Sequence, residues 1–392
     1  MRPDDSFDAI VIGAGIIGLS CAYYLGLEGK KVLLLEKGEL GSGTSGACDD
    51  MILFQSKKPG LMLEMTFLSL DLYRELSRKL TPDIELQTLG GMILIGNEDH
   101  MSLMEDFVAQ QKSYGLDVIF LDREATFRKQ PFAKKSILGS MYCSQDSQVN
   151  PLNVMFGFLA EARAMGMKLS TGEKVTGIAG TPLGWKVSTA KGNTFSSEII
   201  VNTAGTWAGE IMADIFGMDI PITPKRGQIL VTEASPPIGE TNVWSSDYIV
   251  SKLHPELSTL DEKSRELGLG MAITRTSDGN YFLGGTREFV GFDKGTTFEA
   301  FEAISKTAID YFPILENLHV IRSFAGLRPA CGDGKCIIGE VPGLPGFFIA
   351  AGHEGDGIAL APVTGKFLTD LVMGRKTDID IAELSPKRFL TT

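Results

Sequence analysis

Asp8-Ala-Ile-Val-Ile-Gly-Ala-Gly-Ile-Ile-Gly18, followed by Lys31-Val-Leu-Leu-Leu-Glu36, is the stretch that decides the fold of this chain. The apolar run Ala9–Ile12 is typical of a buried parallel strand, and a glycine turn then leads into a helical run that extends to Gly29. A second apolar strand ends at Glu36. This order of strand, glycine turn, helix and acidic strand end predicts a βαβ unit that binds a dinucleotide.

The three glycines and the acidic residue have separate roles in such a unit. Gly13 permits the tight turn, Gly15 lets the main chain approach a pyrophosphate, and Gly18 allows close packing of the helix on the strand. The helix start offers unpaired N–H groups and a positive dipole end to phosphates. Glu36 has the spacing of a carboxylate that accepts hydrogen bonds from a ribose diol. The alternative is a glycine-rich turn in an α/β domain that binds no dinucleotide.

Length, charge and hydropathy exclude several classes of protein. With 392 residues the chain is long enough to form two domains. A net charge of −12 argues against nucleic acid or an anionic membrane as the main partner. Only the fingerprint region is apolar enough to suggest a membrane span, and its glycines divide it into strand, turn and helix. The default expectation is a soluble, cytoplasmic protein with no transmembrane segment.

The cysteines predict neither a disulfide framework nor a metal site. There are five of them, sparsely placed in a long chain. Cys331 and Cys336 have no second pair of cysteines and no histidine cluster nearby, so we expect no zinc or iron–sulfur centre. Most of the five are expected to be small buried residues.

Two features follow Glu36. In the loop Gly43-Thr44-Ser45, small residues allow close approach to a cofactor, and the two hydroxyls can donate to phosphate or ribityl oxygens. The alternative is a flexible linker. Lys57 and Lys58 are expected to be solvated, with a second anionic cofactor or a subunit contact as the alternative.

The sequence pattern in the middle of the chain predicts an α+β insertion. Glu85–Ile95 predicts two short strands joined around Gly90-Gly91, and Tyr248–Ser251 predicts another strand. The charged segment Pro255–Leu267 predicts a short exposed helix or excursion.

Strand–glycine–helix units recur near Gly13, Gly205 and Gly352, across nearly the whole chain. An NAD-type domain is usually one contiguous block, whereas a cofactor that spans a domain needs main-chain contacts from distant segments. This spread favours FAD. The helix after Gly355-Asp-Gly357 could direct N–H groups at the flavin N1–C2=O edge, which gains negative charge on reduction.

The chain resembles the D-amino-acid oxidase (DAO) superfamily of FAD-dependent amine oxidoreductases, which includes glycine and sarcosine oxidases. Within it, the chain is most similar to catalytic subunits of hydrogen cyanide synthase, opine oxidase and D-hydroxyproline dehydrogenase. The segments that carry the resemblance run from end to end: Ile12-Gly-Ala-Gly-Ile-Ile-Gly18, Glu36, Gly43-Thr-Ser45, Val201-Asn-Thr-Ala-Gly-Thr-Trp207, Gly279-Asn-Tyr-Phe-Leu-Gly-Gly-Thr-Arg-Glu288, Gly326-Leu-Arg-Pro329 and Gly352-His-Glu-Gly-Asp-Gly-Ile358. The last two are far more specific than the glycine fingerprint.

The resemblance implies an α/β fold. It consists of a Rossmann-like, glutathione-reductase-type FAD-binding domain built from discontinuous segments, and an α+β substrate domain with a mainly antiparallel sheet. The expected segments are 1–80, 145–215 and 321–392 for the FAD-binding domain, and 81–144 and 216–320 for the substrate-binding domain.

The resemblance also implies roles for individual residues. Arg328 would bind the substrate carboxylate through its guanidinium fork, the alternative being a structural ion pair. Tyr248 would place its hydroxyl near that carboxylate, and Val175 would present main-chain groups to the adenine half. His353 would lie beside the flavin ring or form a structural hydrogen bond. The residues expected at the cofactor are Gly13, Gly15, Ile16, Ile17, Gly18, Glu36, Lys37, Gly43, Thr44, Ser45, Val175, Ala204, Gly205, Trp207, Arg328, His353, Glu354, Gly355, Asp356, Gly357 and Ile358.

Two departures from the family pattern affect the expectations. Sarcosine oxidases with covalent flavin attach it through a cysteine where this chain has Gly326-Leu327-Arg328, so we expect non-covalent FAD. Glycine oxidase has an arginine in the closing loop where this chain has Gly355, so that loop's contacts to substrate are open.

The predicted function is FAD-dependent oxidation of the Cα–N bond of a small amino or imino acid such as glycine, sarcosine, D-proline, D-hydroxyproline or another D-amino acid. Hydride would transfer to flavin N5, and no dedicated side-chain base is required. Alternatives are the catalytic subunit of a heteromeric opine-oxidase-like dehydrogenase, a nicotinamide-dependent dehydrogenase, and a non-catalytic electron-relay flavoprotein. The electron acceptor, the partner subunits and the oligomeric state stay open.

Overall fold

The computed structural model describes residues 6–253, 256 and 260–390. Within these residues the strands form two large mixed sheets and one small two-stranded sheet. The strands are β1 (Ser6–Ile12), β2 (Val32–Leu35), β3 (Met51–Ile52), β4 (Gly91–Ile95), β5 (Val118–Asp122), β6 (Gly139–Cys143), β7 (Ser147–Gln148), β8 (Lys168–Ser170), β9 (Val175–Thr181), β10 (Gly184–Thr189), β11 (Thr194–Asn202), β12 (Ile222–Ala234), β13 (Asn242–Ser245), β14 (Ala272–Arg275), β15 (Asn280–Gly284), β16 (Val320–Cys331), β17 (Ile337–Glu340) and β18 (Phe347–Ala351).

The helices pack against both large sheets. None of those in the described residues combines the length and the apolar composition needed to cross a bilayer. They are α1 (Ile16–Leu27), α2 (Leu61–Leu76), α3 (Asp99–Ser113), α4 (Arg123–Lys129), α5 (Pro151–Ala164), α6 (Ala208–Phe216), α7 (Ser246–Leu253), α8 (Glu262–Glu266), α9 (Phe298–Tyr311) and α10 (Gly357–Val372).

The first sheet has the predicted βαβ unit at its centre. Its order is β17-β18-β11-β1-β2-β8, with β10 and β9 continuing from β11, and β1 is parallel to both of its neighbours. Helix α1 is buried on most sides because α10, α5 and the sheet all contact it. The Ser20 hydroxyl donates to the Ala361 carbonyl at 2.8 Å, and Gly365 lets α10 approach α1 this closely. The parallel strands β11, β1 and β2 end at the same edge of the sheet, where the glycine turns follow.

The second sheet is mainly antiparallel, as predicted. Its order is β16-β12-β15-β14-β13-β4-β6-β5, and β13 and β4 form its parallel pair. Strand β16, which carries Arg328, pairs along its length with β12, and Arg328 lies opposite Lys225. Residues 321–331, which were expected in the FAD-binding domain, lie in β16 and pair within this second sheet. The other predicted domain boundaries stay predictions.

Tyr248–Ser251 is helical, so the predicted strand is wrong. These residues belong to α7, whose start is capped because the Ser245 hydroxyl accepts a hydrogen bond from the Tyr248 N–H at 3.2 Å. Ile249 and Val250 are buried in the core that α7 helps to cover. A short apolar run satisfies burial in either conformation, and here the serine cap favours the helix.

Two other predictions need adjustment. Only the second half of Glu85–Ile95 forms a strand, β4; Gln87 makes an isolated bridge to Gln148 instead. Part of the predicted excursion, residues 255 and 257–259, lies outside the described residues. Its described remainder includes α8, which the Asp261 carboxylate caps by accepting from the Ser264 N–H at 2.7 Å.

Candidate active site

A cavity of about 800 Å³ runs between the two large sheets. At one end it is lined by the turns that follow β1, β2 and β11; we call this the glycine-turn end and define it by Gly13, Gly15, Glu36, Ala204 and Gly205. At the other end it is lined by charged and aromatic side chains; we call this the arginine end and define it by Asp49, Tyr248, Arg287 and Arg328.

The glycines of the fingerprint are required by close main-chain approach. Gly13 has φ +102°, and a Cβ there would lie 2.7 Å from the Thr203 carbonyl oxygen. A Cβ at Gly18 would lie 1.9 Å from the Gly13 carbonyl oxygen. Gly18 does not line the cavity, so its contribution is the packing of α1 on the turn rather than contact with a ligand.

Glu36 is held at the glycine-turn end by main-chain N–H groups. One carboxylate oxygen accepts from the Ala14 N–H and the other from the Gly38 N–H, both at 2.8 Å. The carboxylate lines the cavity at the end of β2. This is the position that the βαβ unit reserves for a carboxylate at a ribose diol.

The hydroxyl groups of Thr44 and Ser45 have partners within the protein. The Ile16 N–H at the start of α1 donates to Ser45 Oγ at 3.0 Å, so the helix start is not wholly unpaired. Thr44 Oγ1 donates to the Leu327 carbonyl of β16. Both residues line the cavity, and their hydrogen bonds connect the loop to the start of α1 and to β16.

Trp207 and Lys37 border the glycine-turn end. The Trp207 ring stacks on Phe292 with centroids 5.4 Å apart, and Lys37 Nζ lies 3.1 Å from the Trp207 ring centroid. Burial lowers the pKa of Lys37 to about 8. Trp207 and Lys37 thus combine a flat apolar surface with a cation beside Glu36.

Lys57 is buried, so the expectation that both lysines are solvated is wrong for this one. Its ammonium group lies 2.9 Å from the Asp356 carboxylate and also donates to the Leu53 carbonyl, while Lys58 is exposed. Asp356 immediately precedes α10. An ion pair with a buried ammonium group therefore lies at the start of α10, and this helix start lines the cavity.

His353 has the structural hydrogen bond that was one of its two expected roles. Its Nε2 lies 3.0 Å from Thr364 Oγ1 on α10, and both side chains are buried. Burial lowers the pKa of His353 to about 4, which keeps the imidazole neutral near pH 7. His353 also lines the cavity.

Arg328 reaches the arginine end from β16. Its Nη1 donates to the Thr286 carbonyl at 2.8 Å. Burial, and then the neighbouring charge of Arg287, lowers its pKa. Tyr248 lies beside Arg287, whose guanidinium carbon is 4.1 Å from the Tyr248 ring centroid.

The cavity brings together almost all of the residues predicted at the site. Gly18 is the exception. The Glu354 carboxylate, which lines the cavity, forms an ion pair with Lys225 at 2.7 Å. The predicted residues that line the cavity are Gly13, Gly15, Ile16, Ile17, Glu36, Lys37, Gly43, Thr44, Ser45, Val175, Ala204, Gly205, Trp207, Tyr248, Arg328, His353, Glu354, Gly355, Asp356, Gly357 and Ile358.

Sequence reasoning gave no site role to several residues that line the cavity, among them Cys48, Asp49 and Arg287. Cys48 and Asp49 directly continue the loop that contains Ser45, and Arg287 lies inside the motif that ends at Glu288. Their proximity to recognised motifs was the available signal. Burial raises the pKa of Cys48, and burial is also the main cause of the raised pKa of Asp49.

The cavity fits FAD by three independent features. Main chain at Gly13 and Gly15 borders it, the Glu36 carboxylate projects at the ribose position, and the start of α10 lines it farther along. The residues that would hold FAD come from separate segments of the chain, spread from Gly13 to Ile358. A mixed sheet with a central parallel βαβ unit, facing a mainly antiparallel sheet across the cavity, is typical of a dinucleotide-dependent oxidoreductase.

Comparison with known proteins identifies the family. The family model described as "FAD dependent oxidoreductase" (DAO) matches residues 8–371, so this chain belongs to the DAO family of FAD-dependent oxidoreductases. Glycine oxidase of Bacillus subtilis is 27% identical over 383 residues, which cover 95% of each chain. Hydrogen cyanide synthase subunit HcnC of Pseudomonas aeruginosa is 26% identical over 428 residues, covering 98% of this chain and 96% of that protein.

A solved structure shows the same fold. The crystal structure of glycine oxidase from Geobacillus kaustophilus superposes with a TM-score of 0.88 and 25% sequence identity. The match covers 99% of this chain and 100% of the other. The family assignment confirms the predicted fold class and the cofactor FAD, and it decides against the nicotinamide alternative.

Proposed function

We propose that this enzyme oxidises the Cα–N bond of a small amino or imino acid, with Arg328 binding the substrate carboxylate. The observation that carries the proposal is a guanidinium in the cavity wall, anchored to the Thr286 carbonyl and forming no ion pair with a carboxylate among the described residues. An arginine fork suits a planar carboxylate because two N–H groups can donate to it side by side. The similarity to glycine oxidases supports the same class of substrate.

The residues of the chain bind and orient; they do not perform the redox chemistry. When bound, FAD supplies the acceptor for the hydride that leaves Cα as the C=N bond forms. Arg328 fixes the carboxylate and so limits the orientations of the Cα–H bond. His353 is neutral and bonded to Thr364, which makes it a poor candidate for the base that deprotonates the amine. The imino product hydrolyses in water.

We also propose that FAD binds without a covalent bond to the protein. Cys331 and Cys336 are buried but do not line the cavity, and Cys48, which does, donates its thiol to the Ser45 carbonyl at 3.3 Å. Acid precipitation of the purified protein should therefore release all of the yellow colour into the supernatant. Colour that stays with the precipitate would contradict non-covalent binding.

The test of the substrate anchor is Arg328→Ala, with flavin bleaching by amino acids measured anaerobically. We expect kcat/KM to fall roughly 100-fold or more, because a charged hydrogen-bonding partner of the carboxylate is lost. Arg322→Ala is the matched control, since Arg322 is exposed on the same strand. Unchanged bleaching in Arg328→Ala, with normal FAD content, would overturn the assignment and favour an electron-relay flavoprotein.

A second candidate is the catalytic subunit of a heteromeric dehydrogenase. It is supported by the relative HcnC, which is itself named as a subunit and aligns over nearly its whole length. The isolated chain should then reduce an artificial dye acceptor much faster than it produces hydrogen peroxide from oxygen. Equal rates with both acceptors would favour a self-sufficient oxidase.

A further inference from the structure

Arg287 is a second guanidinium at the arginine end. It follows β15 directly, and it lines the same cavity as Arg328. Its side chain lies over the Tyr248 ring, and its Nη1 makes one long contact, 3.5 Å, to the Gly268 carbonyl. Most of its hydrogen-bonding capacity is therefore available to a ligand.

The two guanidinium groups are neighbours. Arg328 donates to the carbonyl of Thr286, the residue immediately before Arg287, and the charge of Arg287 helps to lower the pKa of Arg328. Neither arginine forms an ion pair with a carboxylate in the described part of the chain. Two adjacent positive charges without such partners are costly in a protein wall unless an anion binds there.

A third arginine of the same sheet, Arg226, does have carboxylate partners. Arg226, which lies opposite Leu327 on the neighbouring strand, is buried and forms ion pairs with Glu288 at 2.7 Å and Asp293 at 2.5 Å. Where an arginine only supports the fold, this chain supplies carboxylates. The contrast indicates that Arg287 and Arg328 are kept for a ligand.

The main chain makes room for both side chains. A Cβ at Gly227 would lie 2.2 Å from Arg328 Nη1. A Cβ at Gly270 would lie 2.3 Å from Tyr248 Cδ2 and 3.1 Å from Arg287 Nη1. Glycine at these two positions thus permits the arrangement of Arg328, Arg287 and Tyr248.

We propose that Arg287 binds a second carboxylate of the substrate, which is an amino or imino dicarboxylate. The inference rests on the proposed function and names its substrate class: Arg328 takes the carboxylate next to the reacting carbon, and Arg287 takes the other. Asp49 lines the same end and contributes one negative charge when ionised. Two arginines and one aspartate leave one net positive charge, which complements a substrate with two carboxylates and one ammonium group.

The second carboxylate can be on the nitrogen substituent or on the side chain, and matched substrate pairs distinguish these sources. Iminodiacetate is compared with sarcosine, and D-glutamate with D-norvaline, by anaerobic flavin reduction. We expect the wild-type holoenzyme to prefer the dicarboxylate of at least one pair at least 10-fold in kcat/KM. Arg287→Met should abolish this preference mainly through KM, and Arg287→Lys should restore part of it. Arg322→Met is the control.

A redox-inert probe gives a readout that does not depend on turnover. Glutarate should perturb the flavin absorbance of the wild-type holoenzyme and bind more tightly than butyrate, and Arg287→Met should lose that difference. Equal use of both members of each pair by the wild type would overturn the inference while leaving the proposed function intact. So would an Arg287→Met variant that lowers only Tm or slows all substrates equally, because that result shows a structural role on Tyr248.

Failure of the proposed function itself gives a different result. In that case no amino or imino acid reduces the flavin. Arg287-dependent binding of glutarate would then support the anion site alone, and its absence would overturn the site as well.

Discussion

The glycine-turn end of the cavity presents main chain to its ligand, whereas the arginine end presents charged side chains from separate segments. At the first end, a Cβ at Gly13 would lie 2.7 Å from the Thr203 carbonyl oxygen, and a Cβ at Gly18, which packs against the turn, would lie 1.9 Å from the Gly13 carbonyl oxygen. At the second, Arg328 and Arg287 come from a strand and from a post-strand turn, and Asp49 comes from the loop before β3.

This difference separates cofactor binding from substrate recognition. A main-chain site depends on backbone geometry, so it is damaged by any added Cβ and tolerates changes of charge nearby. A side-chain site depends on individual charges, so it can change its substrate without changing the fold. Substitutions at the two ends should therefore affect different measurements, FAD content for one and turnover or pH dependence for the other.

The largest effect is expected for Gly18→Ala, which disturbs the packing of α1 on the turn that forms the glycine-turn end. The added Cβ would lie 1.9 Å from the Gly13 carbonyl oxygen, so α1 or the turn must move. We expect destabilisation of about 3 kcal/mol or more and loss of most bound FAD, measured by the ratio of flavin to protein absorbance. Gly177→Ala is the control, because a Cβ there meets only Ser188 Cβ at 3.8 Å. Full FAD content in Gly18→Ala would show that the turn is not rigid.

The next largest effect is expected for Lys57→Met, which tests the region where α10 begins. Removing the buried ammonium group leaves the Asp356 carboxylate, about a quarter exposed, without its ion-pair partner. We expect a loss of about 2–3 kcal/mol in the free energy of unfolding, measured by denaturant titration. Lys58→Met should change it by less than about 0.5 kcal/mol, because Lys58 is exposed. Equal effects of the two variants would contradict a structural ion pair.

The smallest effect concerns Asp50, which is buried behind the arginine end. Burial, and then the charge of Asp49, raises the pKa of Asp50 to about 7. The folded state therefore keeps a proton that the unfolded chain loses above its ordinary carboxyl pKa near 4. Native stability falls as pH rises from about 4 to 7 and is level above that.

Asp50→Asn removes this titration. Relative to the wild type, the variant should gain about 2 kcal/mol of stability between pH 5 and pH 8, a difference measured from Tm at both values. Asp278→Asn, at an exposed turn, is the control and should show no such gain. A constant difference between Asp50→Asn and wild type across this pH range would contradict the raised pKa.

The sequence by itself determined the class of fold, the cofactor and the residue proposed to bind the carboxylate. Glycine turns are encoded locally, because a positive φ at Gly13 or a close approach at Gly18 excludes other residues whatever surrounds them. The recurrence of such turns near Gly205 and Gly352 indicated a cofactor that spans the domain. Arg328 was found because it lies in a specific motif.

Only the tertiary structure decided how the arginine end is assembled. Arg328 and Arg287 become neighbours through the pairing of β16 and β15 with β12, which joins segments far apart in the chain. Tertiary packing also placed Tyr248 on a helix and buried Lys57 against Asp356, 299 positions away. The sequence around a charged residue does not indicate its partner, because the partner depends on which distant strands pair.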